Sequence, residues 1–211
     1  MKKNKKLLIT IDGPSASGKG TVAKLVASKL GLGYLDSGLI YRELAYQITQ
    51  KNFTLETDWI ELSKNLDLGQ INNHIKELKT EEIGSIASKA AAVTEIRKNL
   101  LDIQRKFYED SPSGIVADGR DMGTVVFPDA DFKFFVTAGV GVRADRRFKE
   151  LQLLNKNVIY DQVVQDLINR DNRDSSRDCA PLKAAEGAIT IDTTTMPAEE
   201  AATIIIDLIL S

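Results

Sequence analysis

A glycine-rich loop between a buried strand and a helix is the feature of this sequence that most constrains its fold. Residues 7–11 are a short, β-branched apolar run, which predicts a strand buried on both faces. Asp12-Gly13-Pro14 is a turn signal, and residues 21–30 keep their apolar side chains on one helical face until Gly31. The order strand, glycine loop, helix predicts the opening unit of a parallel α/β sheet.

The loop itself has the spacing Gly-x-x-x-x-Gly-Lys, which is typical of phosphate binding. Glycines let the backbone approach an anion, N–H groups converge on it at the helix N-terminus, and Lys19 adds a positive charge. A tight glycine turn without a ligand is the alternative. We therefore predict that a nucleoside triphosphate is held by Gly13, Pro14, Ser15, Ala16, Ser17, Gly18, Lys19, Gly20 and Thr21.

Gly20 stands where the usual pattern has a serine or threonine that ligates magnesium. A side-chain hydroxyl from residue 20 is therefore excluded, and Gly-Lys-Gly-Thr resembles the loop of nucleoside monophosphate kinases. The sequence contains neither an Asp-x-x-Gly switch nor an Asn-Lys-x-Asp guanine motif. These observations argue against a GTPase.

Further short strands are predicted at 33–35, 115–117, 132–136 and 188–192, separated by helical patterns. They indicate a three-layer α/β fold with a central parallel sheet. Residues 39–110 have helical patterns and no confident strand, which predicts a helical insertion over one edge of the sheet, and a last helix is expected from about 197 to 210. We expect one domain with a core of residues 1–38, 111–138 and 184–211, an insertion of about 39–110 and a second excursion of about 139–183.

Charge and rare residues exclude several classes of function. The net charge of −2 gives no reason to expect a nucleic-acid or membrane partner. Cys179 is the only cysteine and His74 the only histidine, so neither a disulfide, a zinc cluster nor histidine catalysis is expected, and we regard both residues as incidental. The lysine-rich residues 1–6 resemble the start of a signal peptide, but the apolar run after them is too short, and no stretch reaches the ~18 apolar residues of a membrane span. We expect a cytoplasmic monomer.

Polar residues follow two of the predicted strands. Asp36-Ser37-Gly38 and Tyr41-Arg42 come after the strand at 33–35, and residues 118–124 come after the strand at 115–117. Because the carboxyl ends of parallel strands meet at one edge of a sheet, these residues should lie near the phosphate loop. Arg42 is either a ligand of a second phosphate or a solvated helix arginine, and residues 118–124 are either site residues or an acidic turn with an ion pair.

Six of the ten arginines lie between residues 143 and 177. This region is either a lid that closes over a nucleotide or a solvated pair of charged helices with internal compensation.

Throughout its length the chain resembles the bacterial cytidylate kinases. The matching segments are Ile11–Ser15, Gly18–Thr21, Leu35–Gly38, Tyr41–Arg42, Ala117–Pro128, Arg170–Asp174 and Ala180–Leu182. The resemblance implies ATP-dependent phosphorylation of CMP, and of dCMP, with Mg²⁺ as the cofactor of the donor. Residues 39–110 would then be the acceptor-binding insertion and residues 139–183 the lid region. The chain departs from the family between residues 67 and 77, where a longer strand-rich stretch is usual, so a sheet in the insertion should be reduced or absent.

The resemblance also implies the residues of the acceptor site. Ser37, Arg42 and Arg120 would hold the acceptor phosphate. Ser88, Arg97 and Asp121 would read cytosine. Arg170 and Asp174 would lie near the sugar and phosphates, and Arg177 would reach the phosphates from the lid. The complete CMP site implied is Asp36, Ser37, Tyr41, Arg42, Ser88, Arg97, Arg120, Asp121, Arg170, Asp174 and Arg177, with Lys19, Arg120, Arg170 and Arg177 as the catalytic cations.

The chemistry of cytosine agrees with an aspartate and an arginine at the base. Cytosine offers an amino donor beside acceptors at N3 and O2, whereas uracil replaces the amino group with an oxygen. Preference for CMP over UMP follows as a hypothesis. Kinases of UMP, dTMP, shikimate or dephospho-coenzyme A remain alternatives, as does a nucleotide-binding module without turnover.

Overall fold

The computed structural model describes residues 6–154 and 157–211. Residues 1–5, which carry most of the lysine-rich start, lie outside the described part of the chain. Across the described residues, no helix combines the length and the apolar character that crossing a bilayer requires.

The centre of the described fold is a parallel sheet. Its strands are β1 (Leu7–Asp12), β2 (Gly33–Asp36), β3 (Gly114–Gly119), β4 (Phe132–Thr137) and β5 (Ile189–Asp192). They lie in the order β2-β3-β1-β4-β5, and each pairing is parallel. The predicted strands and the parallel sheet are confirmed, with β5 beginning one residue later than expected.

Helices cover both faces of the sheet, as the continuous apolar runs of its strands require. On β3, the side chain of Val116 packs toward α1 (Lys19–Leu30) and α9 (Ala198–Leu210), while Ile115 and Ala117 pack toward the opposite face. This alternation divides the interior into two apolar clusters with the sheet between them. The three-layer prediction is therefore confirmed.

The secondary structure between residues 37 and 110 consists of helices joined by turns. They form α2 (Ser37–Gln50), α3 (Glu56–Lys64), a 3₁₀ turn (Ile71–His74), α4 (Ile75–Leu78), α5 (Glu81–Ala90) and α6 (Thr94–Asp110). All of these residues are described, and none of them lies in a strand. The shortened stretch at 67–77 thus folds as turns and one short helix.

The buried carboxyl group of Glu43 on α2 holds the shortened stretch at 67–77 in place. His74 Nε2 lies 2.6 Å from Glu43 Oε2, and the His74 ring stacks on Tyr46 with centroids 4.2 Å apart. Gln47 Nε2 also donates to Glu43 Oε1 at 2.8 Å. His74, which we regarded as incidental to the chemistry, is a structural partner of a carboxyl group that is 1% exposed.

Two helices, α7 (Val140–Leu153) and α8 (Tyr160–Ser176), form the arginine-rich region and pack against each other. Arg143 Nη1 donates to the Ser15 carbonyl at 3.2 Å, and Arg143 also pairs with Asp171 at 2.7 Å. Arg146 Nη1 donates to the Ser17 carbonyl at 3.1 Å. These two arginines hold α7 against the backbone of the phosphate loop.

Candidate active site

A cavity of about 260 Å³ opens at the carboxyl edge of the sheet. Its walls come from the phosphate loop, α2, α5, α6, the end of β3, α7 and α8. All eleven residues predicted for the acceptor line it, together with Ser15, Ala16, Lys19 and Gly20 of the loop. The other predicted loop residues, which are Gly13, Pro14, Ser17, Gly18 and Thr21, are outside its lining, and the Thr21 side chain is exposed.

Two glycines give the phosphate loop its shape. A Cβ on Gly13 would stand 2.0 Å from the carbonyl oxygen of Val136, so no side chain fits where the loop leaves β1. Gly18 has φ +87° at the residue before α1, a conformation that L side chains rarely adopt. These constraints turn the chain so that α1 begins at Lys19, two residues earlier than its apolar pattern predicted.

The end of β1 is tied to the loop that follows β3. Asp12 accepts hydrogen bonds from the backbone N–H groups of Met122 and Gly123, each at 2.8 Å. Burial raises the pKa of Asp12 to about 7, although the two backbone donors favour the charged form. This contact fixes the position of Asp121 relative to the phosphate loop.

Asp118 lies at the end of β3, directly beside Gly20 and Lys19. Tyr34 Oη donates to Asp118 Oδ1 at 2.7 Å, and Asp36 is the residue opposite Asp118 on β2. Burial and then the neighbouring Asp36 raise the pKa of Asp118 to about 6. Two carboxylates this close to a loop lysine form a small acidic group at the phosphate-binding edge.

The cations of the cavity crowd one another. Burial and then Arg120 lower the pKa of Lys19 to about 7, and burial and then Arg147 lower that of Arg42 to about 10. Burial, Arg120 and Arg42 lower the pKa of Arg170 to about 9. Because positive charges held this close repel one another, the cluster is suited to an anion with several oxygens.

Asp174 is the central carboxylate of this cluster. It accepts from Arg120 Nε at 2.9 Å and from Ser88 Oγ at 3.1 Å, and Arg170 Nε lies 3.9 Å from it. Burial favours the neutral acid, but Arg120 and Arg170 outweigh it and hold the pKa of Asp174 below its usual range. One side chain of α8 thus joins α5 to the end of β3.

Arg97 and Asp121 form a buried ion pair in the wall of the cavity, with side chains that are 9% and 4% exposed. Arg97 Nη1 also donates to the Ala91 carbonyl at 3.0 Å, and its guanidinium lies 5.5 Å from the centre of the Tyr41 ring. Arg177 Nη1 donates to the same carbonyl at 3.3 Å. The structure therefore places Arg177 beside the residues predicted to read the base, whereas the sequence had associated it with the phosphates.

Two buried donors in this region, Arg170 Nε and Arg177 Nη2, have no hydrogen-bond partner among the described residues. A buried polar group without a partner costs ~1–3 kcal/mol, so such donors are expected where a ligand supplies the acceptor. Both guanidiniums line the cavity.

Sequence reasoning missed the role of Arg147 and its partners. Its guanidinium pairs with Glu81 at the start of α5 and with Glu150 at 2.6 Å, and it donates to the Lys79 carbonyl at 3.0 Å. Arg147 was part of a recognised arginine cluster, yet nothing in that pattern distinguished it from Arg143 or from a solvated arginine. Asp118 was visible as an acidic strand end but was not selected as a site residue.

A parallel sheet in this strand order, with a phosphate loop after β1 and a cluster of guanidiniums facing it, defines a P-loop kinase. A shikimate kinase from Acinetobacter baumannii has the same fold, with a TM-score of 0.50, 17% identity, and coverage of 97% of this chain and 93% of that one.

Within that class, the chain belongs to the cytidylate kinase family, whose model matches residues 9–211. A cytidylate kinase from Bartonella bacilliformis is 44% identical over 92% of this chain and 90% of its own length. One from Colwellia psychrerythraea is 46% identical over 89% of this chain and 88% of its own length.

Proposed function

We propose that this chain transfers the γ-phosphoryl group of ATP to CMP, giving ADP and CDP, and that it acts on dCMP in the same way. The observation that carries the proposal is one cavity that joins a phosphate loop, a crowded guanidinium cluster and the buried Arg97–Asp121 pair. Family membership and relatives named cytidylate kinase support the choice of acceptor.

In this proposal, Ser37, Arg42 and Arg120 bind the acceptor phosphate. Arg42 is held by the carbonyls of Leu78 and Thr80, and Ser37 donates to the Asp118 carbonyl at 2.7 Å. Each side chain is thereby positioned by the fold rather than by the ligand. Prepositioned donors lose less conformational entropy on binding, which favours affinity for the phosphate.

Cytosine is read at the other end of the cavity by Ser88, Arg97 and Asp121. A carboxylate facing the 4-amino group and a guanidinium facing N3 and O2 complement cytosine. Uracil would put an oxygen against the buried carboxylate, leaving both groups without a donor. Tyr41 also lines the cavity, and its ring centre lies 5.5 Å from the Arg97 guanidinium, so it supports the arginine by direct contact.

The transfer itself requires alignment and charge neutralisation. The acceptor is a phosphate oxygen that is already largely ionised near neutral pH, so no strong general base is needed. Lys19 holds the donor phosphates, and Arg120 and Arg170 stabilise the negative charge spread over the transferred group. The unpartnered donor of Arg170 supports this role.

Mg²⁺ fits the acidic group beside the phosphate loop. The described residues contain no cluster of three or more acidic, histidine or cysteine side chains that could enclose a metal. Mg²⁺ bound to a nucleotide needs only one or two carboxylates beside phosphates and water, and Asp118 with Asp36 supplies them. When bound, Mg²⁺ neutralises charge on the donor phosphates.

The proposal also assigns the parts of the chain. Residues 39–110 bind the acceptor, and residues 139–183 form a lid that excludes water from the nucleotide. We further propose that the enzyme works as a monomer on free nucleotides, with no nucleic-acid partner.

An acceptor panel tests this function. Purified protein with ATP and Mg²⁺ is given CMP, dCMP, UMP, dTMP or shikimate, and ADP release is followed with a no-acceptor blank and with Lys19→Met as the control. We expect CMP and dCMP to give the highest kcat/KM and the Lys19→Met variant to give almost no turnover. A better rate with another acceptor would refute the choice of CMP, and no release above the blank with any acceptor would refute catalysis.

A further inference from the structure

The phosphate loop of this chain lacks a hydroxyl at residue 20, and another hydroxyl faces the same space. A Cβ built on Gly20 would lie 3.6 Å from Tyr34 Oη and 3.7 Å from Asp118 Oδ2. Both distances are ordinary van der Waals contacts, so a phenol from β2 and a carboxylate from β3 together form the wall beside residue 20.

The sheet fixes the geometry of that wall. Tyr34 pairs with Val116 in the register of β2 and β3, two residues before Asp36 lies opposite Asp118. From there Tyr34 Oη reaches the strand end and donates to Asp118 Oδ1 at 2.7 Å. The ring is partly buried, and Lys24 Nζ lies 5.4 Å from its centre on the α1 side.

The Tyr34 hydroxyl donates its proton to Asp118 Oδ1. Because that proton is directed at Oδ1, Asp118 is held in one orientation, with Oδ2 on the side of Gly20.

We propose that Tyr34 is a positioning residue for the cation of the nucleotide: its hydroxyl orients Asp118 beside Gly20 and so replaces, from β2, the hydroxyl that the phosphate loop lacks. The inference rests on the proposed function, because it assumes that Asp118 serves a nucleotide-bound cation.

The substitution Tyr34→Phe tests the proposal because it removes the hydroxyl and leaves the ring. ADP binding is measured by calorimetry with and without Mg²⁺, and the affinity for Mn²⁺ in the presence of ADP is measured by electron paramagnetic resonance. A hydrogen bond contributes about 1–1.5 kcal/mol net, so we expect the apparent cation affinity to fall about 5- to 15-fold. ADP binding without a cation should change less than about twofold.

Two double variants sharpen the test. In Tyr34→Phe, the substitution Gly20→Ser returns a hydroxyl to the same space, and we expect it to recover most of the lost cation affinity. Gly20→Ala adds the Cβ alone and should recover none. Tyr108→Phe is the matched control, because Tyr108 Oη donates to the Lys6 carbonyl at 3.2 Å and lies outside the cavity lining.

The outcomes separate the two proposals. Unchanged cation affinity in Tyr34→Phe, or an equal loss of ADP affinity with and without the cation, would overturn the role of Tyr34 and leave it as a packing residue. Recovery by Gly20→Ala as well as by Gly20→Ser would also overturn it. If the wild-type protein showed no cation-dependent ADP binding, the proposed function itself would be refuted, and not only the role of Tyr34.

Discussion

The substitution Asp121→Asn separates base recognition from protein stability. It keeps the size of a side chain that is 4% exposed and removes the charge opposite Arg97. In the proposed complex, Asp121 accepts from the 4-amino group of cytosine. A hydrogen bond to a charged group contributes ~1.5–3 kcal/mol, and each ~1.4 kcal/mol is tenfold in rate. We therefore expect kcat/KM for CMP to fall ~10- to 150-fold.

The response to UMP should have the opposite sign. An asparagine amide can turn its NH₂ toward the 4-oxygen of uracil, which a carboxylate cannot do. We expect kcat/KM for UMP to rise, so that the ratio of CMP to UMP falls by more than the loss for CMP alone. ADP release at saturating ATP, with each acceptor varied, measures both values.

The Asp121→Asn substitution should also lower the free energy of unfolding, and the structure sets an upper limit on the loss. Removing one partner of a buried ion pair costs ~3–5 kcal/mol when the other charge is left alone. Arg97 keeps the Ala91 carbonyl at 3.0 Å and the Tyr41 ring at 5.5 Å, and asparagine still accepts, so the loss in unfolding free energy should be smaller. Urea unfolding measures the loss, with the exposed Asp102→Asn on α6, the helix of Arg97, as the control. A large stability loss with an unchanged CMP to UMP ratio would refute base reading and leave Asp121 as the counter-ion of Arg97.

Three further predictions concern the charges around the site. Arg147→Met should lower the free energy of unfolding by only ~1–2 kcal/mol, because its partners Glu81 and Glu150 are 41% and 46% exposed. It should lower kcat/KM more than tenfold, because the pair of Arg147 with Glu81 joins α7 to α5, two walls of the cavity; an unchanged rate would mean that this contact does not shape the site. His74→Phe keeps the aromatic ring but leaves Glu43 with one partner fewer, and urea unfolding should show a loss of ~1–3 kcal/mol; equal stability would mean that the pair contributes nothing. Burial raises the pKa of Asp12 to about 7 in the folded state, whereas an unfolded aspartate loses its proton above ~pH 4. Between these values the folded state retains a proton that the unfolded state has lost. Stability should therefore fall between ~pH 4 and about 7, and Asp12→Asn should flatten that slope; an identical pH profile for the variant would refute the assignment.

The parts of the fold that local chemistry controls could be predicted from the sequence. The strand before Asp12, the loop and α1 depend on residues within one short segment, where apolar periodicity and glycines are sufficient. One boundary moved because backbone geometry overrode the apolar pattern: α1 begins at Lys19 because Gly18 is left-handed.

The contacts between distant residues that form the site could not be predicted from local sequence patterns. Arg97 meets Asp121 from 24 positions away, and Asp174 meets Ser88 from 86 positions away. No periodicity encodes such pairs, so only the resemblance to a known family selected these residues. Arg147 lay outside the matching segments, and a charge cluster alone cannot show which arginine turns inward.

The arginines of the cavity differ in whether their donors already have partners, and this difference separates their roles. Arg97 is paired with Asp121 and Arg120 with Asp174, so both guanidiniums are held in fixed orientations by carboxylates. Arg170 instead has a buried donor without a hydrogen-bond partner among the described residues. At the proposed base site, the Arg97–Asp121 pair gives specificity because a wrong base must disturb an existing contact. The Arg170 donor without a partner instead gains a full hydrogen bond from a phosphate oxygen. The carboxyl edge of the sheet thus combines a prearranged site for the base with a guanidinium donor that is free to bind the group being transferred.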